Sequence, residues 1–158
     1  MKIGVFVDVQ NIYYTTREAL GRPFNYRAFW QELSARGQIT VANAYAIKRN
    51  DDSQIKFQDA LRHIGFTVKL KPFIQRQDGS AKGDWDVGIT IDIMEAAHDL
   101  DLLVLLSGDG DFAMLLQHIR QKHQLKSEVI SVEALTADAL IQASNQYTPI
   151  RSRWLQNQ

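Results

Sequence analysis

The 158 residues include no cysteine, which excludes disulfide scaffolds, cysteine nucleophiles and thiolate-ligated zinc. Proline occurs three times, too rarely for a Pro-rich linker, and no internal repeat or low-complexity segment divides the chain. No apolar run approaches the length of a membrane span, and the one in Met1–Asp8 is too short for a signal-peptide core. A cytoplasmic protein with no membrane partner is therefore expected. The last absence is regional: residues 83–119 carry eight Asp and Glu but no Lys or Arg. The whole chain balances at 18 basic and 18 acidic residues, which, taken in bulk, speaks against a generic polybasic nucleic-acid binder. Divided, it has thirteen basic to seven acidic residues over 1–82 and five to three over 120–158. Two opposed charges sit in one chain.

At 45% hydrophobic and 23% charged, the composition suits one globular domain; we expect it over 1–148, with a C-terminal tail at 149–158. Ile3 to Val7 reads as a buried strand, followed by a helix from Gln10 to Leu20 that Gly21 and Pro23 close. The pattern continues with a helix at 26–35, a strand at 39–47, a helix at 53–63 and a strand at 66–70. Residues 72–83 read as a loop, and a helix is expected over 84–98. Leu102 to Leu106 are five consecutive apolar residues, as a strand covered on both faces requires. A helix at 112–122, a strand at 127–132 and a helix at 136–143 complete the series. Strands alternating with helices imply right-handed parallel crossovers. The expected fold is α/β, a three-layer sandwich with a five-stranded, mainly parallel sheet in the order 3-2-1-4-5. That order places the carboxyl ends of strands 1 and 4 side by side at the switch point, where ligands bind.

Asp8 follows strand 1 directly, and Ser107-Gly108-Asp109-Gly110-Asp111 follows strand 4. The topology brings these carboxylates to one crevice. Two carboxylates about 4 Å apart repel by roughly 4 kcal/mol at an effective dielectric near 20, so a bound divalent cation is the economical explanation. An oxygen-only donor set selects Mg²⁺ or Mn²⁺ over Zn²⁺. The competing reading makes Asp8 and Asp109 helix caps. A third segment supplies Asp84, which suits a cap, and Asp86, the better ligand. Asp92 lies two turns inside an otherwise apolar helix, about 120° from Asp86, and is expected to orient or support rather than ligate. Gly88 leaves a gap that another backbone or a substrate could fill. The four histidines lack the spacing of a metalloprotease, and no phosphate loop ending in Lys-Ser/Thr occurs.

Phe6-Val7-Asp8-Val9-Gln10-Asn11, Lys82-Gly83-Asp84-Trp85-Asp86-Val87 with Thr90-Ile91-Asp92, and Leu106-Ser107-Gly108-Asp109-Gly110-Asp111-Phe112 together resemble the NYN domain of the LabA-like (DUF88) family, a branch of the PIN-like nuclease superfamily. The resemblance implies a PIN-like fold and a metal-dependent ribonuclease site. Carried over, it points to Asp8, Asp86, Asp109 and Asp111 as the catalytic and metal-holding acids, with Asn11 and Ser107 as polar neighbours. Gln10 stands where the family commonly has Glu, and Trp85 where a smaller aliphatic is common.

The reaction expected on this basis is hydrolysis of an RNA phosphodiester. Lys48, Arg49 and Lys82, with Lys71 and Arg76, are expected to form a phosphate-binding rim on the same face. Tyr13, Tyr14 and Trp85 are candidate base-stacking rings, weighed against a place in the core. Arg151 to Trp154 are read as a loose end. Besides RNA, a second copy of the chain is the other partner considered. Two further readings stand beside the nuclease: a non-catalytic RNA-binding or regulatory module, and a phosphatase or Toprim-like phosphotransfer enzyme. Gln10 and Asp8 occupy places where those last two folds want an acid and a Glu.

Overall fold

Ile3, Val5, Phe6 and Val7 are wholly buried, as the central strand of a sheet covered on both faces must be. The structure is a computed structural model describing residues 1–49, 51–72, 74–75, 81–82 and 84–157. In chain order the elements are β1 (Lys2–Asp8), α1 (Val9–Thr15), α2 (Tyr26–Ser34), β2 (Gln38–Lys48), α3 (Asp52–Ile64), β3 (Thr67–Pro72), β4 (Ile74–Gln75) and β5 (Ala81–Lys82). They continue with α4 (Asp86–Ala96), β6 (Leu102–Leu106), α5 (Ala113–His123), β7 (Lys126–Ser131), α6 (Asp138–Ala143) and β8 (Gln146–Pro149). The main sheet runs β3-β2-β1-β6-β7-β8 and every pairing in it is parallel. Among the described residues, no helix is long and apolar enough to cross a membrane.

Consecutive strand residues point to opposite faces, and this builds two cores. Val5, Val7, Ala44 and Leu106 meet Ile12, Phe29, Leu33 and Leu61 of α1, α2 and α3. Phe6, Tyr45, Leu103 and Leu105 meet Ile89, Ile93, Leu116, Ile119 and Leu140 of α4, α5 and α6. The three-layer sandwich and its strand order are therefore as expected, with one strand more. β8 was not expected because four residues, one of them Pro149, are too short to show a period; proline suits them to a sheet edge. The segment read as a loop at 72–83 contains the antiparallel pair β4–β5. α1 runs on as a π-helical turn, Thr16–Leu20, which Gly21 ends with a left-handed φ of 67°.

Beyond β8 the chain is anchored rather than loose. Trp154 and Leu155 are buried, Leu155 bridges to Phe24, and the Asn25 N–H donates to the Trp154 carbonyl at 2.6 Å. The Trp154 ring stands edge-on to Phe29 at 5.2 Å. Arg153 and the Trp154 indole both donate to Glu32, and the Arg153 bond is the main reason that carboxyl is held below its ordinary pKa.

The gap expected at Gly88 is filled from within. A Cβ there would lie 2.5 Å from the Trp85 ring. That ring is fixed: its indole N–H donates to the Ala46 carbonyl at 2.9 Å, Tyr45 packs at 5.3 Å, and the Lys71 ammonium sits 4.6 Å from the ring centroid. Trp85 is thus a structural ring rather than an open stacking face. Gly88→Ala gains about 1 kcal/mol of helix propensity but overpacks a held ring, at a cost of roughly 1–3 kcal/mol. Net destabilisation is expected, with a red-shifted tryptophan emission as Trp85 is pushed outward. A thermal melt in which the variant is more stable than the parent would contradict this packing.

Candidate metal centre at the carboxyl end of the sheet

Register decides which residues meet. Val7 pairs with Leu106 across β1 and β6, so the next residues, Asp8 and Ser107, stand side by side. Ser107 Oγ donates to Asp8 Oδ2 at 3.1 Å and accepts from the Asp109 N–H at 3.2 Å. Asn11 Oδ1 accepts from the Gly108 N–H at 3.0 Å, tying the loop after β6 to the first turn of α1. On its other side that loop lies against residues 135–137. A Cβ at Gly108 would come within 3.0 Å of the Leu135 carbonyl oxygen, and the Gly108 carbonyl accepts from the Ala137 N–H at 3.1 Å. Asn11 and Ser107 therefore hold the loop in place.

Asp8 and Asp109 do serve as caps. Asp8 Oδ1 accepts from the Asn11 N–H at 3.5 Å and Asp109 Oδ1 from the Asp111 N–H at 2.9 Å. Capping does not exhaust a carboxylate, which has about four lone-pair sites. One carboxylate oxygen from each of Asp86, Asp109 and Asp111 lies within 4.8 Å of the other two. Asp86 comes from the start of α4 and the other two from the turn after β6. Asp8 borders this trio without being part of it. Exposed Asp84 accepts from the Asp86 N–H at 3.2 Å, an Asx turn one residue ahead of the helix rather than the cap expected of it, because Trp85 takes the capping position.

The crowding shows in the protonation equilibria. Burial pushes the Asp8 carboxyl up to about 6 against the pull of its Ser107 and Asn11 hydrogen bonds, and the charges of Asp109 and Asp84 add to the rise. Asp86, only part-buried, is pushed up to about 7. Loss of water is the first cause there, followed by the hydrogen bond to the Asp109 carboxyl and the charges of Asp109, Asp84 and Asp8. Asp86 thus keeps its proton toward neutrality.

Asp92 is placed apart. Its Oδ2 accepts from Tyr45 Oη at 2.8 Å and from Lys69 Nζ at 2.7 Å, linking α4 to β2 and β3. Burial, then the Asp92 bond, pushes the Tyr45 phenol pKa up. Tyr45 and Lys69 lie in strands whose apolar pattern marks core only, so no local signal pointed to this polar bridge. Of the basic residues, Lys71 reaches the site: its Nζ donates to the Asp84 carbonyl at 3.0 Å. Lys48 and Arg49 are exposed at the end of β2, and Arg49 lines a cleft beside α1. The Lys82 side chain and Arg76 lie outside the described residues.

A doubly wound parallel sheet with acids gathered beyond the carboxyl ends of two central strands defines an α/β protein with a polar site at its topological switch point. Residues 2–151 match the NYN domain family, and the chain belongs to it, which makes it a member of a PIN-like nuclease family with an aspartate cluster able to bind metal. It is 30% identical to the low amplitude and bright protein LabA of Synechococcus elongatus over 92% of this chain and 82% of that protein. It is similar to the solved structure of a protein of unknown function from Vibrio parahaemolyticus, 48% identical, with a TM-score of 0.93 over 98% of this chain and 96% of that one. A carbohydrate kinase from Agrobacterium tumefaciens, 16% identical with a TM-score of 0.52 over 92% of this chain and 59% of that one, shares the fold alone.

Proposed function

We propose that this protein is a metal-dependent ribonuclease that hydrolyses RNA phosphodiester bonds at the Asp86–Asp109–Asp111 cluster. The observation carrying the reading is the convergence of three carboxylate oxygens within 4.8 Å. The donor set is oxygen only, and among the described residues no ion pair reaches Asp8, Asp86, Asp109 or Asp111. That combination fits Mg²⁺ or Mn²⁺. When bound, such a cation lowers the pKa of water and neutralises charge on the phosphoryl group under attack.

The chain's own residues prepare the site. Ser107 and Asn11 fix the loop that carries Asp109 and Asp111. Asp84 and Lys71 hold the start of α4, from which Asp86 projects, and the Asp92 bridge anchors that helix to the sheet. Asp8 faces the trio from β1. Hydrolysis adds water across the P–O bond, so the leaving oxygen must receive a proton. The direct test is incubation of purified protein with Mn²⁺ or Mg²⁺ and single-stranded or structured RNA. Metal-stimulated cleavage that Asp109→Asn abolishes is expected; no cleavage of either substrate would overturn the reading.

The raised carboxyls also set a pH dependence. Asp8 and Asp86 keep protons in the folded chain up to about 6 and 7, whereas an unfolded Asp loses them near 4. Over that interval the folded state binds more protons. The stability these groups contribute is full below about pH 4 and is lost as pH rises through 6 to 7. A cation competes with the same protons. Mn²⁺ is therefore expected to raise the melting temperature more at about pH 8 than at about pH 5.5, and Asp86→Asn should reduce the difference. Equal shifts at the two pH values in the parent protein would contradict this.

A further inference from the structure

A cleft of about 730 Å³ opens beside α1 on the opposite side of the sheet from α4, a size within the roughly 300–1,000 Å³ range of ligand sites. Its floor is apolar, formed by Ile12, Phe24, Tyr26 and Phe57, and Gln10, Gln54 and Arg49 supply polar groups at its walls. Two rings stand in the opening. Tyr13 is 45% exposed and Tyr14 52% exposed, and they meet edge to face at 5.3 Å and 81°. The Arg17 guanidinium lies 5.0 Å from the Tyr13 ring centroid and donates to its phenol oxygen. Exposed aromatic surface of this kind, held beside a cavity, is what a flat π-faced ligand would cover.

Position narrows the ligand. Val9 and Gln10, the two residues that follow Asp8, line the cleft. At its back, burial and the Asp8 charge push up the pKa of the Tyr26 phenol. The cleft thus begins where β1 ends, next to Asp8, and Asp86, Asp109 and Asp111 lie outside its lining. A strand that runs from the carboxylates past Asp8 would bring a nucleoside to it.

We propose that this cleft is a nucleobase subsite in which Tyr13 and Tyr14 stack against unpaired bases of the RNA strand; its ligand rests on the ribonuclease reading above. Bases in a duplex are already stacked and paired, so the subsite favours single strands. Stacking on aromatic rings tolerates any base, so little sequence preference is expected from it.

The test measures binding apart from cleavage. Anisotropy of a short labelled oligouridylate is followed with Ca²⁺ present, and its length is checked on a gel afterwards. Tyr14→Ala is expected to weaken binding at least about fivefold, and Tyr14→Phe, which keeps the ring, should stay within about twofold of the parent. Under Mn²⁺ cleavage, the alanine variant should raise KM and leave kcat within about twofold. In the unaltered protein, a photoactivatable uridine in the oligonucleotide should crosslink to residues 9–18, a result independent of any variant's folding. Crosslinks confined elsewhere, parental affinity in Tyr14→Ala, or equal affinity for a duplex would overturn the subsite. Ring-dependent binding without metal-stimulated cleavage would support the subsite and remove the ribonuclease reading. Cleavage indifferent to Tyr14 would do the reverse.

Discussion

Asp109→Asn should lower metal-stimulated RNA cleavage by more than about 100-fold, since even outer partners of metal ligands are worth roughly 10–100-fold. The substitution suits the test because it separates the two roles of the residue. As a cap, Asp109 accepts the Asp111 N–H at 2.9 Å, and an Asn carbonyl oxygen does that equally well. As a member of the cluster it supplies charge, which Asn lacks. Fold and melting temperature should therefore change little while activity collapses. Removing one negative charge also relieves Asp86, whose carboxyl is raised in part by its hydrogen bond to Asp109 and by the Asp109 charge. The variant without metal is thus expected to be slightly more stable than the parent near neutral pH. Circular dichroism melts and cleavage of a fluorescent RNA measure the two effects separately. Retained cleavage in a folded Asp109→Asn protein would sink the assignment of that carboxylate.

The largest stability effect is expected far from the site, at Arg36. Glu128 lies in β7 with its side chain only 3% exposed. It accepts from Arg36 at 2.8 Å and from Thr148 Oγ1 at 2.9 Å. Arg36→Ala leaves that carboxylate buried with a single hydroxyl donor. Breaking a buried pair from one side costs about 3–5 kcal/mol. Because the Arg36 side chain is 40% exposed, water reaches the pair, and the low end, about 3 kcal/mol, is expected. For a chain of this size that corresponds to a fall in melting temperature of roughly 6–12 °C. Removing both charges, as Arg36→Met with Glu128→Leu, should restore most of the loss, because well-packed apolar replacements of buried pairs are often neutral. Urea melts of the single and double variants decide it. A loss below about 1 kcal/mol in the single variant would show the pair to be worth no more than a surface one.

Arg36 and Glu128 illustrate why the sequence was readable in some places and opaque in others. Each is 92 positions from the other, and nothing local marks Arg36, at the end of a helix, as the partner of an acid inside a strand. The same holds for Asp92, whose need of a partner was legible but whose partners, Tyr45 and Lys69, come from β2 and β3. The Gly88 gap was legible as a missing side chain. That Trp85, three residues earlier on the same face, fills it depends on the Ala46 carbonyl and the Lys71 ammonium, which only packing brings near. β8 was lost because a four-residue edge strand has no period to detect.

Local pattern, by contrast, sufficed for the alternation of strands and helices, for the two-faced burial of Ile3–Val7 and Leu102–Leu106, and for the sandwich that follows from them. Parallel pairing and right-handed crossovers leave few topologies, so the placement of Asp8 beside the Ser107–Asp111 turn followed from chain order alone. What tertiary structure decided was the finer division among the acids. Asp86, Asp109 and Asp111 share one space, Asp8 borders it, Asp84 closes a turn ahead of α4, and Asp92 braces the helix from behind. Distances of a few ångströms separate those roles, and they are set by strand register and helix rotation, to which the spacing of residues along a chain is blind.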